Sequence, residues 1–192
     1  MRDGMTVMLG KTELLDEFYS VFTENMHDLG SPVHSRQWLQ AIVSAYEDRV
    51  RVAVVYTSDK VPAAAGIILL HPFRVSNPWA SSLRRYNSMR PNMLLYWMLL
   101  SFASDNGYSQ FDFGRSTPGE GTYRFKEQWG AKPNELYWYE MEASRSVRLS
   151  QSNGELAHPD KQSTKRQLAA NLWQKLPQPG TNWLGPRIRK YI

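Results

Sequence analysis

Two apolar runs joined by a short polar turn set the tightest limit on the fold. Val50 to Thr57 is rich in β-branched residues, and Pro62 to Pro72 runs through Ala63-Ala64-Ala65-Gly66-Ile67-Ile68-Leu69-Leu70. Ser58-Asp59-Lys60 lies between them. Such a pair predicts an antiparallel hairpin. Helices are expected on either side of it. From Thr12 to His27, Leu14, Leu15, Phe18, Val21, Phe22 and Met26 recur at helical spacing, with Thr12 as a candidate N-cap and Gly30-Ser31-Pro32 as the break. Ser35 can cap a second helix that carries Trp38, Leu39, Ile42, Val43 and Tyr46 on one face.

Beyond the hairpin, a further short strand is expected within Val75 to Ser82. A helix opens at Pro91, where a missing N–H costs nothing, and stops at Gly107. In that helix Tyr96 and Trp97 read as core aromatics. Ser109 to Phe113 is a strand, Gly114 to Glu120 a loop, Thr122 to Trp129 a short helix, and Glu135 to Ala143 a last alternating strand of the same sheet. Helices that follow and then alternate with strands imply an α/β fold: one mixed, mostly antiparallel sheet flanked by helices.

Composition excludes several chemistries. The chain has no cysteine, so disulfides, thiolate metal sites and Cys nucleophiles are absent. His27, His34, His71 and His158 show no ligand spacing. No phosphate-binding P-loop and no HExxH or GxSxG pattern occurs. The longest apolar stretch, Met93 to Ala103, is too short to span a bilayer. The start lacks the pattern of a signal peptide, so a cytoplasmic protein is expected.

Charge divides the chain. Residues 1–149 hold 16 basic and 16 acidic side chains, so the net +5 sits beyond them. The expected organisation is a domain over 1–148 and a basic extension over 149–192. The extension contains an amphipathic segment, Lys165 to Leu176, with Leu168, Leu172, Trp173 and Leu176 expected to dock. Trp183, Arg187, Arg189, Lys190 and Tyr191 are expected to face outward. A basic tail favours anionic partners, whether a membrane surface or tRNA, or simply solvates the chain.

Three places could carry chemistry. Lys126 lies beside the Phe125 and Trp129 face of its helix, near the expected end of the 109–113 strand, with Thr122 and Tyr123 on the same flank. It reads either as a phosphate- or oxyanion-binding group or as a solvated lysine. Asp112 alternates with Phe111 and Phe113 and needs a partner, for which Arg115 is the candidate. The pair reads as a general base with a ligand anchor or as a loop-tying ion pair. Arg84, Arg85, Tyr86, Asn87 and Arg90 lead into a helix start, which suits a phosphate, although surface solubility explains arginines there equally well.

The run Phe111-Asp112-Phe113-Gly114-Arg115-Ser116, followed by Phe125-Lys126-Glu127-Gln128-Trp129-Gly130, resembles the FDFGRS and FK-QWG signature of FemAB-like acyltransferases in the GNAT superfamily. Ser35-Arg36-Gln37-Trp38 and the tail Leu172-Trp173-Gln174-Lys175-Leu176-Pro177 extend the resemblance to members linked with exopolysaccharide and exosortase (PEP-CTERM) clusters. It implies a GNAT-like sheet with a C-terminal extension, corresponding to the C-terminal lobe of a two-lobed protein whose N-terminal lobe would be missing. It implies no tightly bound cofactor and transfer of an acyl or aminoacyl group, from aminoacyl-tRNA or acyl-CoA, to an amine of a cell-envelope or exopolysaccharide precursor. Lys126 and Asp112 would be catalytic. Arg115, Tyr123, Arg84, Arg85, Tyr86, Asn87 and Arg90 would bind donor or substrate. The protein would work in the cytoplasm, peripheral to the inner face of the membrane. Two alternatives stay beside this reading: a small-molecule acyl-CoA-dependent acetyltransferase, against which the lack of glycine between Arg84 and Pro91 speaks, and an incomplete lobe serving as an interaction module.

Overall fold

A computed structural model describes residues 4–137, 140–141, 147–148 and 164–189. They form two compact units, Met1–Arg115 with Ala169–Ile192, and Ser116–Leu168. The first unit is built on a five-stranded sheet in the order β1-β2-β3-β4-β5, from Thr6–Gly10, Val50–Tyr56, Pro62–Leu70, Arg74–Ser82 and Gln110–Asp112. Neighbours are antiparallel except β4 and β5, which are parallel. The mixed, mostly antiparallel sheet is therefore the one the sequence implies. The edge strand β1 was not anticipated, although Thr6-Val7-Met8-Leu9 has strand composition.

Alternation along β2 builds two cores. Val50, Val52 and Val54 join Ile67 of β3 and the buried faces of α1 (Leu15–Asp28) and α2 (Arg36–Tyr46). Ala53 and Val55 join Ile68 and Val75, with Leu95, Leu99 and Ala103 of α3 (Pro91–Asp105), on the opposite side. A sheet covered on both faces needs continuous apolar strands rather than polar alternation, which is why β2 and β3 read as unbroken runs.

Local signals place the helices. Ser35 accepts the N–H of Trp38 at 3.0 Å and caps α2. Thr12 does not cap α1; it opens a 3-10 turn, Thr12–Leu14, that leads into the helix. In α3, Tyr96 is buried but its neighbour Trp97 is 61% exposed, because successive helical residues point about 100° apart and only one can face the sheet.

The C-terminal helices of the first unit pack on α1. α5 (Thr164–Lys175) inserts Trp173, and α6 (Gln178–Arg189) follows. Gln174 Nε2 donates to the Asp28 carbonyl at 2.8 Å, and a ring nitrogen of His27 lies 2.9 Å from the Leu176 carbonyl oxygen. Gly30, at φ +68°, sits so close to α5 that a β-carbon there would lie 2.7 Å from the Ala170 β-carbon. This contact corrects the expected docking face: Ala170 and Trp173 turn inward, while Leu168, Leu172 and Leu176 are exposed. Arg189 also turns inward, donating from Nε to His34 Nε2 at 3.3 Å, whereas Trp183 is exposed with Arg187 stacked 3.9 Å over its ring. Lys190 and Tyr191 lie outside the described residues.

The second unit contains α4 (Gly121–Gln128) and a two-stranded antiparallel sheet, β6 (Glu140–Met141) with β7 (Val147–Arg148). Of the expected 135–143 strand, Glu140–Met141 is thus paired in a sheet of its own, not in the sheet of β5, and 135–137 are not strand. Alternation marks a segment as a strand but does not choose its partner, and here the partner is close in sequence.

Candidate active site

The site begins where two parallel strands separate. β4 and β5 pair at Arg74 with Gln110, Val75 with Phe111 and Ser76 with Asp112. There β5 ends. Asp112 Oδ1 accepts the Gly114 N–H at 2.8 Å, closing a tight turn that Gly114 enters with φ +71°. A β-carbon on Gly114 would lie 3.2 Å from the Asn77 carbonyl oxygen, so the turn crosses close to β4. β4 runs on to Ser82, paired with β3 on its other side. Within the first unit, β4 thereby presents an open edge next to the Gly114 turn.

The same stretch of β4 is bulged. Ser76 pairs with Leu69 and Trp79 with Ile67, so Asn77 and Pro78 together oppose Ile68. Asn77 is only 5% exposed. Neither its Nδ2 nor its Oδ1 meets a hydrogen-bond partner among the described residues. Leaving a buried polar group unsatisfied costs about 1–3 kcal/mol, so an orphaned carboxamide here is expensive.

Aromatic rings flank the fork. Phe113 stacks on Tyr96 at 5.7 Å and meets Phe111 edge to face at 4.9 Å. Burial pushes the Tyr96 phenol up to about 12, which keeps it neutral. Another group joins α2 to β4: His34 stacks on Trp38 at 4.1 Å, and Trp38 meets Trp79 edge to face at 5.6 Å. Trp38 is 42% exposed, so this wall is open to solvent. Burial, and then the Arg189 guanidinium, holds the His34 imidazole below its ordinary value.

The residues singled out in the sequence fall in three places. Asp112 and Arg115 lie at the end of β5, both exposed. The carboxylate of Asp112 holds the Gly114 turn. The 84–90 segment forms a 3-10 helix, Arg84–Met89, ahead of α3. Arg84 donates to the Asp28 carbonyl at 3.1 Å and Arg85 pairs with Glu24, both on α1. Arg85 also lies 5.0 Å over the Tyr86 ring, and Tyr86 packs on the first core. Arg90 is exposed, has a left-handed backbone at φ 56°, and immediately precedes α3. Lys126 and Tyr123 are half-buried on α4, in the second unit. Phe125 and Trp129 meet edge to face at 6.4 Å, and no α4 residue is fully buried.

Asn77, Trp79 and the His34–Trp38 pair were not anticipated. One signal did exist: Asn-Pro inside an otherwise strand-like run marks an irregularity. Among the described residues no cluster of His, Asp or Glu could hold a metal, and no helix is long and apolar enough to cross a membrane.

Comparison with known proteins agrees with this fold. The model of the acetyltransferase (GNAT) domain family matches residues 3–127. No curated protein gives a significant sequence match. Several solved structures share the fold. A probable acetyltransferase aligns with TM-score 0.58 and 10% identity, over 73% of this chain and 99% of that one. The aminoglycoside 6'-N-acetyltransferase AAC(6')-Ih from Acinetobacter baumannii aligns with TM-score 0.57 and 13% identity, over 72% and 98%. AAC(6')-Iy, solved with the bisubstrate analogue CoA-S-monomethyl-acetylneamine, aligns with TM-score 0.55 and 11% identity, over 72% and 98%. At such identities the likeness is one of fold.

Proposed function

Since the chain belongs to the acetyltransferase (GNAT) domain family and is an acyltransferase, we propose that an acyl-CoA donor lies along the open edge of β4 and that its acyl group passes to an amine. The observation that carries this reading is the parting of β4 and β5 after Ser76 and Asp112. A strand edge offers N–H and C=O groups, and the extended, amide-bearing arm of coenzyme A needs only one or two of them to lie along it. The CoA-bearing analogue bound to AAC(6')-Iy supports acyl-CoA over aminoacyl-tRNA.

In the reaction the amine nitrogen attacks the thioester carbonyl carbon. The C–N bond forms, the C–S bond breaks, the amine gives up a proton and the departing sulfur gains one. A backbone N–H at the bulge would steady the carbonyl oxygen as negative charge builds on it. Asp112, exposed beside the fork, is the proposed general base, acting directly or through one water. Lys126 is the proposed phosphate- or oxyanion-binding cation, with Tyr123 and Arg115 as donor contacts. Of the 84–90 group, Arg90 and Asn87 are the proposed phosphate contacts. Arg84, Arg85 and Tyr86 hold the segment to α1 and the core.

The proposed acceptor is an amine on a cell-envelope or exopolysaccharide precursor. The FemAB-like signature supports it, and so does the open wall of Trp38 and Trp79, whose faces suit a sugar ring or an ammonium group. Incubation with acetyl-CoA and either an amino sugar or a peptide amine, followed by thiol release and product mass, tests the reading. Transfer from charged tRNA alone, with no CoA binding by calorimetry, would refute the donor assignment.

A peripheral membrane contact is proposed for the C-terminal helices. Residues 164–192 hold six basic and no acidic side chains, and Leu172 and Trp183 are 66% and 63% exposed. Each basic residue near an anionic bilayer contributes on the order of 1 kcal/mol. Co-sedimentation should need anionic lipid and weaken when residues 183–192 are deleted. Binding to tRNA without lipid binding would reassign the patch.

A further inference from the structure

We propose that the groove between α1 and α6 binds a neutral sugar unit of the acceptor, next to the unit that carries the amine. This rests on the acceptor reading above and adds a site that acyl transfer itself does not require.

The groove encloses about 340 Å³, within the ~300–1,000 Å³ of ordinary small-ligand sites. Asp16, Tyr19, Ser20 and Thr23 of α1 line one side, and Gln178, Pro179 and Asn182 of α6 the other. Both helices belong to the first unit. Contacts further along α6 fix its seat. A β-carbon on Gly185 would lie 3.0 Å from the Val33 amide nitrogen, and Arg189 reaches His34 at 3.3 Å. A groove whose walls are already held loses little freedom on binding.

The lining selects the ligand. Thr23 Oγ1 donates to the Ser20 carbonyl and Tyr19 Oη to the His34 carbonyl, both at 3.1 Å. Asp16 is paired with Arg36 at 2.5 Å. A phosphate would meet that carboxylate and no lining cation, and an ammonium would meet a carboxylate already paired. What remains for a ligand is the Ser20 hydroxyl and the carboxamides of Gln178 and Asn182. A carboxamide presents a donor and an acceptor side by side, and two neighbouring hydroxyls of a sugar can answer both at once. Pro179 and the Tyr19 ring supply apolar surface for the C–H face of the same sugar.

Position ties the groove to the acceptor. Tyr19 lines it and also holds the carbonyl of His34, whose ring begins the wall of Trp38 and Trp79. Asn182 lines it too, and Arg189, about 10 Å further along α6, meets the same His34 ring. An acceptor whose amine-bearing unit rests on the wall can therefore place its neighbouring unit in the groove. α6 lies beyond residues 3–127, which the acetyltransferase (GNAT) domain model matches, so the C-terminal extension supplies one side of this site.

Saturation-transfer NMR on the full chain tests the groove, with the neutral disaccharides cellobiose and maltose as probes. Wild type should transfer to at least one of them. Asn182→Ala should weaken the signal severalfold, and Ser20→Trp, which fills the groove from α1, should abolish it. Both variants should melt as wild type does, because Ser20 is exposed and Asn182 half-buried; Gln178→Ala replaces either one that fails to fold. Acetylation kinetics test the tie to the acceptor. With acetyl-CoA, glucosamine joined to glucose at one side or the other should show a kcat/KM about tenfold above that of glucosamine alone, through a lower acceptor KM. Asn182→Ala should bring that ratio toward one. No transfer to either neutral disaccharide, or transfer that the variants leave unaltered, overturns the proposal alone. So does a disaccharide advantage that is missing in wild type or survives the variants. Wild-type protein that acylates peptide amines but no amino sugar overturns the acceptor reading and this proposal together.

Discussion

Gly30→Ala isolates the contact that seats the C-terminal helices. Two costs arise from one methyl group. Gly30 has φ +68°, a left-handed backbone, where a β-carbon costs roughly 1–2 kcal/mol. That carbon would also lie 2.7 Å from the Ala170 β-carbon, 2.8 Å from its carbonyl oxygen and 2.9 Å from its α-carbon. Two of those atoms are backbone, so no side-chain rotation relieves the overlap, and overpacking of this kind costs typically ~1–3 kcal/mol. The sum is about 2–5 kcal/mol. It has a ceiling, because the protein can release α5 instead of bearing the clash. Release would expose Trp173 and break the bonds from Gln174 to Asp28 and between His27 and Leu176. The expected result in denaturant unfolding is a loss near the lower part of that range, with protease cleavage appearing between α4 and α6. Adding Ala170→Gly should recover only part of it, since the backbone contacts stay. Wild-type stability in Gly30→Ala, within about 0.5 kcal/mol, would refute the docking geometry.

Three further outcomes are expected. Leu99→Ala, at a site with 0% exposure, should cost about 2–5 kcal/mol in chemical unfolding, and Trp129→Ala only about 1–2, since α4 buries no residue fully; the reverse order would contradict the core assignment. Lys126→Ala should lower turnover by about 10²-fold while leaving the melting temperature unchanged; equal losses of stability in Lys126→Ala and Trp129→Ala would argue against a chemical role. The His34 imidazole sits below its ordinary value of 6.5, by burial and then by Arg189, so the unfolded chain binds that proton more readily. Its contribution is full above that value and is lost as pH falls from there through the lower folded-state value. Melting curves on either side should show a decline on acidification that His34→Gln reduces, and an unchanged slope would remove His34 as a cause.

The fold was legible where local chemistry decides it. A serine three residues before an amide named the start of α2, and the hairpin of β2 and β3 announced itself by two apolar runs and a polar turn. Features that depend on distant partners were not legible. Arg84 and Arg85 are marked as candidate phosphate contacts in sequence, but their pairing with Asp28 and Glu24, 56 and 61 residues away on α1, is not. The leucines of α5 look like its docking face, yet Gly30 admits the smaller Ala170 side of the helix. α6 is masked by Pro179, Gly180 and Pro186, although Pro179 falls in the first turn, where a missing N–H is tolerated. At the site, Asp112 and Arg115 were marked by a polar break after an aromatic strand. Asn77 was not, since its significance comes from the parallel register of β4 with β5, which no local pattern encodes.

The open edge of β4 also bears on how this protein avoids its own kind. An exposed strand edge invites a strand from another copy, and such pairing grows into aggregates. Pro78 stands in the middle of this edge, exposed and without an N–H. A second polypeptide adding there would meet a missing rung and a bulge that spoils its register. A slender ligand arm needs only one or two rungs and tolerates the gap. The same irregularity that leaves room for a small, flexible guest makes the edge a poor template for a protein strand.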